Sequence, residues 1–235
     1  MVLSPLPFWI WLLLGVSYAA GITFVVTGFS VLSRNSRSWV NRTFFVYSLV
    51  KAFWVFVATT ILWYPDLATA RVLYNFWWIG LLLFTFYFLA FGLNIMPFVK
   101  SAWRLPIFLI ATALGLGVGF VWIQLLQYDV RATDLGWVWL PDLPLFFVGV
   151  FAFVISYAVG LWGLMMAELQ IADEKSQSAR KAMFWALFAH MAAAGFFVLT
   201  YRMFESYWLL MFAPIANMVL LPIAAARFWA LRSEK

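Results

Sequence analysis

Apolar runs of about 20 residues recur along this chain, and each is long enough to cross a lipid bilayer as a helix. Of the 235 residues, 66% are hydrophobic and 10% are charged, which is more apolar surface than a water-soluble fold of this size can bury. Because lipid offers no hydrogen bonds, each run must satisfy its own backbone, as a helix does. The alternating polarity of barrel strands is missing. The sequence therefore predicts an all-α integral membrane protein.

Seven such runs divide the chain, and they predict a bundle of seven transmembrane helices. Connections of no more than roughly 16 residues separate them, which leaves no room for a soluble catalytic domain. Residues 1–235 thus form one membrane domain. No basic residue precedes the first run and no small-residue cleavage pattern follows it, so we expect a retained helix and not a cleaved signal. The predicted helices are 8–32, 44–64, 72–96, 105–127, 144–167, 182–201 and 207–226.

The cations are distributed unevenly between the two sides of this bundle. Eleven of the 15 lysines and arginines fall in the first, third and fifth connections and the tail, and three fall on the opposite side. The positive-inside rule then places the amino terminus outside and the carboxyl terminus in the cytoplasm. Six cations in the first and fifth connections are candidates for contact with a partner protein: Arg34, Arg37, Arg42, Lys175, Arg180 and Lys181.

Residue counts exclude several classes of chemistry. The absence of cysteine excludes disulfides, thiolate nucleophiles, iron–sulfur clusters and cysteine-ligated zinc. A single histidine excludes a zinc hydrolase, a haem–copper centre and bis-histidine haem within the chain. No GxSxG stretch supports a serine hydrolase, no lysine in the last run can carry covalent retinal, and no basic soluble patch is long enough to bind nucleic acid. We expect neither an enzyme nor a resident metal ion.

Two ionisable residues fall inside the apolar runs. His190, in "WALFAHMAAAGFF", has alanines beside it that leave space for a neighbouring helix or a flat cofactor. It is either a neutral histidine hydrogen-bonded to another helix or an axial ligand of haem or a pigment. Lys51 lies about two turns into the predicted second helix, and we expect it to snorkel to the cytoplasmic interface.

Two polar features lie elsewhere in the predicted bundle. The outer connection "YDVRATDLGWVWLPDL" is either an interfacial turn with belt tryptophans or a lid over an external ligand, with Asp134, Trp137, Trp139 and Asp142 as candidate contacts. Asn217 stands between two prolines in the last run, so a kinked helix is expected there. Small residues spaced by four predict close helix packing: Ser17 and Gly21, Gly115 and Gly119, Ser156 and Gly160, Ala189 and Ala193.

Three connections carry a resemblance to a known family. The link "RNSRSWVNRTFFVYSLVKAFW", the turn "MPFVKSAWRLP" and the polar stretch "ELQIADEKSQSARK" resemble the heptahelical amino-terminal membrane region of some bacterial histidine kinases. The resemblance implies a sensor in the bacterial inner membrane. Such kinases continue into phosphotransfer and ATP-binding regions, whereas this sequence ends at "ARFWALRSEK". We therefore expect signalling through a separate protein partner.

Two functions remain open at this point. The first is a sensor-like or adaptor module that docks to a membrane or cytoplasmic partner through its cytoplasmic connections. The second is an accessory subunit of a larger membrane complex, contributing contacts to lipid, pigment or haem, with His190 as the candidate ligand.

Overall fold

Five long helices and one β-hairpin make up the part of the chain that the computed structural model describes. That part comprises residues 8–64, 66–96, 98–125, 129–133, 136–140, 143–169 and 184–189, with 178, 181 and 192 as single positions. The helices are α1 (Phe8–Arg34), α2 (Trp39–Trp63), α3 (Leu67–Ile95), α4 (Ser101–Leu125) and α5 (Leu143–Leu169). Strands β1 (Asp129–Thr133) and β2 (Gly136–Leu140) pair between α4 and α5.

The helices have the length and composition that an integral membrane protein requires. Four of them, α1 to α4, are long and apolar enough to cross a bilayer. Residues Phe151–Met166 of α5 are apolar as well. Residues 184–189, within the sixth predicted run, are also helical. The seventh predicted run, 207–226, lies outside the described residues.

Three helices begin earlier than the apolar runs suggest. Helices α2, α3 and α4 begin at Trp39, Leu67 and Ser101, whereas the predicted starts were 44, 72 and 105. Hydropathy measures only the stretch within hydrocarbon, while the helix continues through the interface, where polar residues are tolerated. As a consequence Pro106 lies inside α4, beyond its first turn, and not at its start.

The connection between α4 and α5, for which the sequence predicted an interfacial turn or a lid, is a β-hairpin. Strands β1 and β2 are antiparallel, with Asp129 opposite Leu140 and Thr133 opposite Gly136. The hairpin approaches α2 and α3. Backbone pairing within the hairpin satisfies polar groups that an irregular turn would have to leave to water or to side chains.

Helix α3 is central to the described bundle, because it packs against α2, α4 and α5, while α1 packs against α2. The α1–α2 and α3–α4 turns lie at the same end, as the hydrogen bond from Asn94 Nδ2 to Thr43 Oγ1 (2.9 Å) requires. Trp63 Nε1 donates to the Tyr18 hydroxyl (3.0 Å) at the opposite end. The helices therefore run up and down in succession.

Small residues allow the closest helix contacts, as the four-residue spacing predicted. A Cβ on Gly115 would lie 2.7 Å from Cδ2 of Leu83, and one on Gly92 would lie 2.9 Å from the carbonyl oxygen of Gly160. Gly21, Gly119 and Ser156 are also buried. The expectation is confirmed for three predicted pairs: Ser17 and Gly21, Gly115 and Gly119, and Ser156 and Gly160. In the fourth, Ala189 is exposed and Ala193 lies outside the described residues.

Candidate functional site: a buried lysine among aromatic rings

Lys51 is fully buried, with 0% exposure, and is the one charged residue in the buried set of the described part of the chain. It lies at the midpoint of α2, 12 residues from Trp39 and 12 from Trp63. Each end of the helix is thus about 18 Å away. A four-carbon side chain cannot span that distance to water. The prediction that Lys51 snorkels to the interface was wrong, because α2 begins a turn earlier than the apolar run and because neighbouring helices enclose this residue.

Two aromatic rings contact the Lys51 amino group. Nζ lies 4.2 Å from the ring centroid of Phe84 on α3 and 5.7 Å from that of Trp54 on α2. The rings of Trp54 and Phe84 themselves meet edge to face at 5.3 Å. A cation this close to a ring face is attracted by the electrons of the ring, and the attraction is strongest where water is excluded. The α2–α3 interface is therefore built around the amine.

One helical turn from Lys51 lies a buried pair of tyrosines. Tyr47 and Tyr157 are both fully buried, and their hydroxyls are 3.3 Å apart, so that one donates to the other across the α2–α5 interface. Phe88 of α3 stacks on Tyr157 at 4.1 Å with an interplanar angle of 21°. Because Tyr47 precedes Lys51 by four residues, both occupy the same face of α2. The amine and the tyrosine pair therefore lie one turn apart on this face, and we refer to them together as the polar centre; its contacts involve α2, α3 and α5.

Further polar atoms lie along the same faces of α2 and α3. Thr43, four residues before Tyr47, accepts the hydrogen bond from Asn94 and donates to the carbonyl of Trp39 (2.7 Å). Among the described residues, Asn94 Oδ1 and Trp54 Nε1 are buried without a hydrogen-bond partner. Polar groups inside a membrane bundle are costly, so their presence along one seam indicates a use beyond packing.

The α1–α2 turn at the end of this seam is basic and ordered. Arg42 Nε donates to the carbonyl of Ser36 (2.7 Å), and its guanidinium lies 4.9 Å from the ring centroid of Trp39. The Oδ1 atom of Asn35 accepts from the backbone N–H groups of Arg37 and Ser38. The turn also exposes Arg34 and Arg37 to solvent. The structure therefore brings together the three predicted partner-facing arginines of the first connection.

The other predicted site residues are placed only in part. Trp137 and Trp139 lie on β2, where they pair with Ala132 and Val130. Lys181 is exposed. The proposed cofactor ligand and the remaining candidates lie outside the described residues: His190, Asp134, Asp142, Asn217, Lys175 and Arg180.

The sequence contained a signal for the polar seam that its interpretation missed. Trp39, Thr43, Tyr47 and Lys51 recur every four residues in "WVNRTFFVYSLVKAFW", which is the spacing of one helical face. The predicted start of the helix at residue 44 cut this series.

A scan against protein-family models finds no match to this chain, and a search of curated proteins finds none that is significantly similar.

Proposed function

We propose that this chain is a non-enzymatic sensor or adaptor of seven transmembrane helices, in the bacterial cytoplasmic membrane, with its amino terminus outside. It passes a change within the bundle to a protein partner through its cytoplasmic connections. The observation that carries this proposal is the burial of Lys51 at mid-depth, in the interface between α2 and α3. An ionisable residue at that depth is costly, and it marks a functional site in membrane proteins by default.

A column of side chains on α2 supports a route from this centre to the basic turn. The column consists of Trp39, Thr43, Tyr47 and Lys51, and each member has a contact on another helix. The ring of Trp39 lies 5.9 Å from that of Phe108 on α4, and the other three members contact α3 or α5 as described above. A shift of α3 or α5 at the amine therefore acts on the helix that carries the turn.

Transmission along this column requires that the helices adopt two alternative arrangements. The buried amine can make the two arrangements differ in free energy. A buried amine is stabilised only by the groups that face it, so the free energy of the centre depends on the positions of Phe84 and Trp54. A ligand or a lipid that moves either group biases the arrangement.

Distances between spin labels test the coupling, and the absence of native cysteine makes single-site labelling straightforward. Arg37→Cys and Ser101→Cys place labels on the two turns at the same end, where both native residues are exposed. In this background we expect Lys51→Met to shift the distance between labels by about 1–2 Å, which is the size of helix movements at switching interfaces. The matched control is Phe53→Met, on the exposed face of α2, and should leave the distance unchanged. Identical distance distributions in all three proteins would contradict the proposal.

Orientation is tested with a membrane-impermeant maleimide on intact cells. Ala68→Cys, at the start of α3, should react, whereas Ser36→Cys, in the basic turn, should react only after the membrane is opened. Both native residues are exposed. The reverse pattern would place the basic turn outside and would remove the basis for a cytoplasmic partner.

A second candidate function, the accessory subunit, is favoured by one face of α4. A methyl group placed on Gly117 would have no atom of the described residues within 4 Å, and Leu114, Val118 and Val121 beside it are exposed. A flat face of this kind fits lipid, a pigment or another helix. Crosslinking in native membranes from position 117 would recover one stoichiometric membrane partner if this candidate is right, and lipid alone if it is wrong.

A further inference from the structure

An open groove lies beside the α3–α4 turn, at the same end of the bundle as the basic α1–α2 turn. Its volume is about 300 Å³, at the lower end of the range of small-molecule sites. The lining is mostly apolar and includes a single charged side chain: Phe98, Val99, Lys100, Trp103 and Ile107. Phe98 and Trp103 are 59% and 62% exposed, so the groove faces the surroundings and not the core.

The end of the bundle that carries this groove is positively charged. The segments 31–42 and 94–104 contain five cations and no acidic residue. Lys100 lines the groove, and Arg104 follows it by four residues, on the same side of the start of α4. Arg42 stacks on Trp39, whose ring contacts Phe108 of α4, so this arginine lies at the same end of the bundle as the groove. The charge pattern fits an anion.

Two polar features point to the same kind of ligand. Arg104 Nε is buried and has no hydrogen-bond partner among the described residues. The groove also lies at the amino terminus of α4, a helix of 25 residues, where the helix dipole favours a negative group; in its first turn the Trp103 N–H already donates to the Lys100 carbonyl (3.0 Å). An anion held between Lys100 and the start of α4 would satisfy donors that the protein leaves open.

We propose that this groove binds an anionic phospholipid of the surrounding leaflet. Lys100, Arg104 and the first turn of α4 hold the phosphate, and Phe98, Trp103 and Ile107 contact the apolar part of the lipid. The apolar lining distinguishes this occupant from free phosphate, which would gain nothing from it. Basic pockets between transmembrane helices on the cytoplasmic side bind anionic head groups in this way, and tryptophan favours the same depth.

Native mass spectrometry of the full chain in detergent tests the proposal, with palmitoyl-oleoyl phosphatidylglycerol as the probe and the phosphatidylcholine of the same acyl chains as its neutral counterpart. We expect tighter binding of the anionic lipid. Replacing Lys100 or Arg104 by Gln should weaken it about fivefold each, since one cation near the membrane surface contributes about 1 kcal/mol. Phosphatidylcholine binding should stay the same in every variant.

Two further variants separate the groove from surface charge. Val99→Trp fills the groove while leaving every cation in place, and it should weaken phosphatidylglycerol binding to a similar degree. Arg71→Gln removes an exposed cation at the opposite end and should have no effect. Thermal unfolding of each variant in detergent checks that the fold is retained; if Val99→Trp unfolds, the comparison of Lys100→Gln with Arg71→Gln decides.

Three results would overturn the proposal. The first is equal affinity of the native chain for the two lipids. The second is a loss from Arg71→Gln as large as that from Lys100→Gln. The third is displacement of the lipid by millimolar inorganic phosphate, which would identify the groove as a phosphate site.

Discussion

Helices α2 and α4 have the same length, 25 residues, and both are apolar enough to span a bilayer, yet they serve the bundle in different ways. Half of an 18-residue window of α2 is buried, against 22% of the corresponding window of α4. Helix α2 turns Tyr47, Ser48 and Lys51 into the interior. Helix α4 buries a strip consisting of Ala111, Gly115, Gly119 and Trp122 and exposes large apolar residues elsewhere.

The difference shows that helices with the same apolar sequence pattern can be stabilised in the bundle by two different kinds of contact. Lipid is as apolar as leucine, so a helix such as α4 gains little by burial and is held by the closeness of its contact with α3. For α2, burial brings Thr43 and Tyr47 to hydrogen-bond partners that lipid cannot supply. Stability should therefore depend on backbone approach at α4 and on hydrogen bonds and ring contacts at α2.

The largest effect is expected at the strip of α4, where Gly115 and Gly117 form a matched pair. A Cβ on Gly115 would meet Leu83 at 2.7 Å and its Cα at 3.1 Å, whereas Gly117 faces open space among the described residues. Gly115→Leu should lower the free energy of unfolding by about 1–3 kcal/mol, as overpacking does. Gly117→Leu should change it by less than about 0.5 kcal/mol. Thermal unfolding in detergent measures both variants. Equal losses of stability would mean that the close contact between α4 and α3 at Gly115 does not stabilise α4 in the bundle.

A smaller effect is expected from the tyrosine pair, which tests the other half of the comparison. Tyr157→Phe removes one hydroxyl and leaves that of Tyr47 buried without this hydrogen bond. A double-mutant cycle with Tyr47→Phe should give a coupling energy of about 0.6 kcal/mol, the mean for membrane helices. The control is the Tyr87–Thr112 hydroxyl pair of α3 and α4 (2.7 Å), which is partly exposed and should couple more weakly. A coupling energy of zero between Tyr47 and Tyr157 would mean that the two side chains stabilise the bundle by packing and not by their hydrogen bond.

The smallest effect is expected at a helix end. The backbone N–H of Thr69 donates a 2.8 Å hydrogen bond to Asp66 Oδ1, which lowers the pKa of this carboxyl below its ordinary value of 3.8. Stability from a lowered pKa is present above the unfolded value and is lost as pH falls through the folded value. The difference in melting temperature between the native chain and Asp66→Ala should thus be constant above pH 3.8 and shrink below it. Ser38, which caps α2 without a side-chain hydrogen bond, supplies the control: Ser38→Ala should show no such pH dependence.

Much of the described fold could be predicted from apolar runs, because hydrocarbon thickness sets the length of a span. The starts of α2, α3 and α4 could not, since interfacial residues such as Trp39 and Ser101 extend the helices beyond the apolar stretch. The hairpin was missed because pairing of β1 with β2 depends on two segments together. Only the alternating polarity of "DVRAT" and the aromatic and β-branched residues of "GWVWL" indicated strands there.

The site was harder to predict, because burial is a property of neighbours. Lys51 and its depth were visible in the sequence, but the ring of Phe84 comes from another helix, 33 positions later. Without it, a lysine near the end of an apolar run resembles one that reaches water. The four-residue series from Trp39 to Lys51 would have indicated the column, had the helix been allowed to begin five residues earlier.

The close backbone contact between Gly92 and Gly160 lies near the carboxyl end of α3, so a tilt of this helix would pivot there. Gly92 lies three residues from the end of α3 at Ile95 and 25 from its beginning at Leu67. By the rise of an α-helix, the two arms are about 5 Å and 38 Å long. A tilt of roughly 10° about this point would hardly displace the short arm and would swing the long one by about 6 Å. A tilt of α3 about this contact would therefore move the end that carries Asp66 further than the end at Ile95.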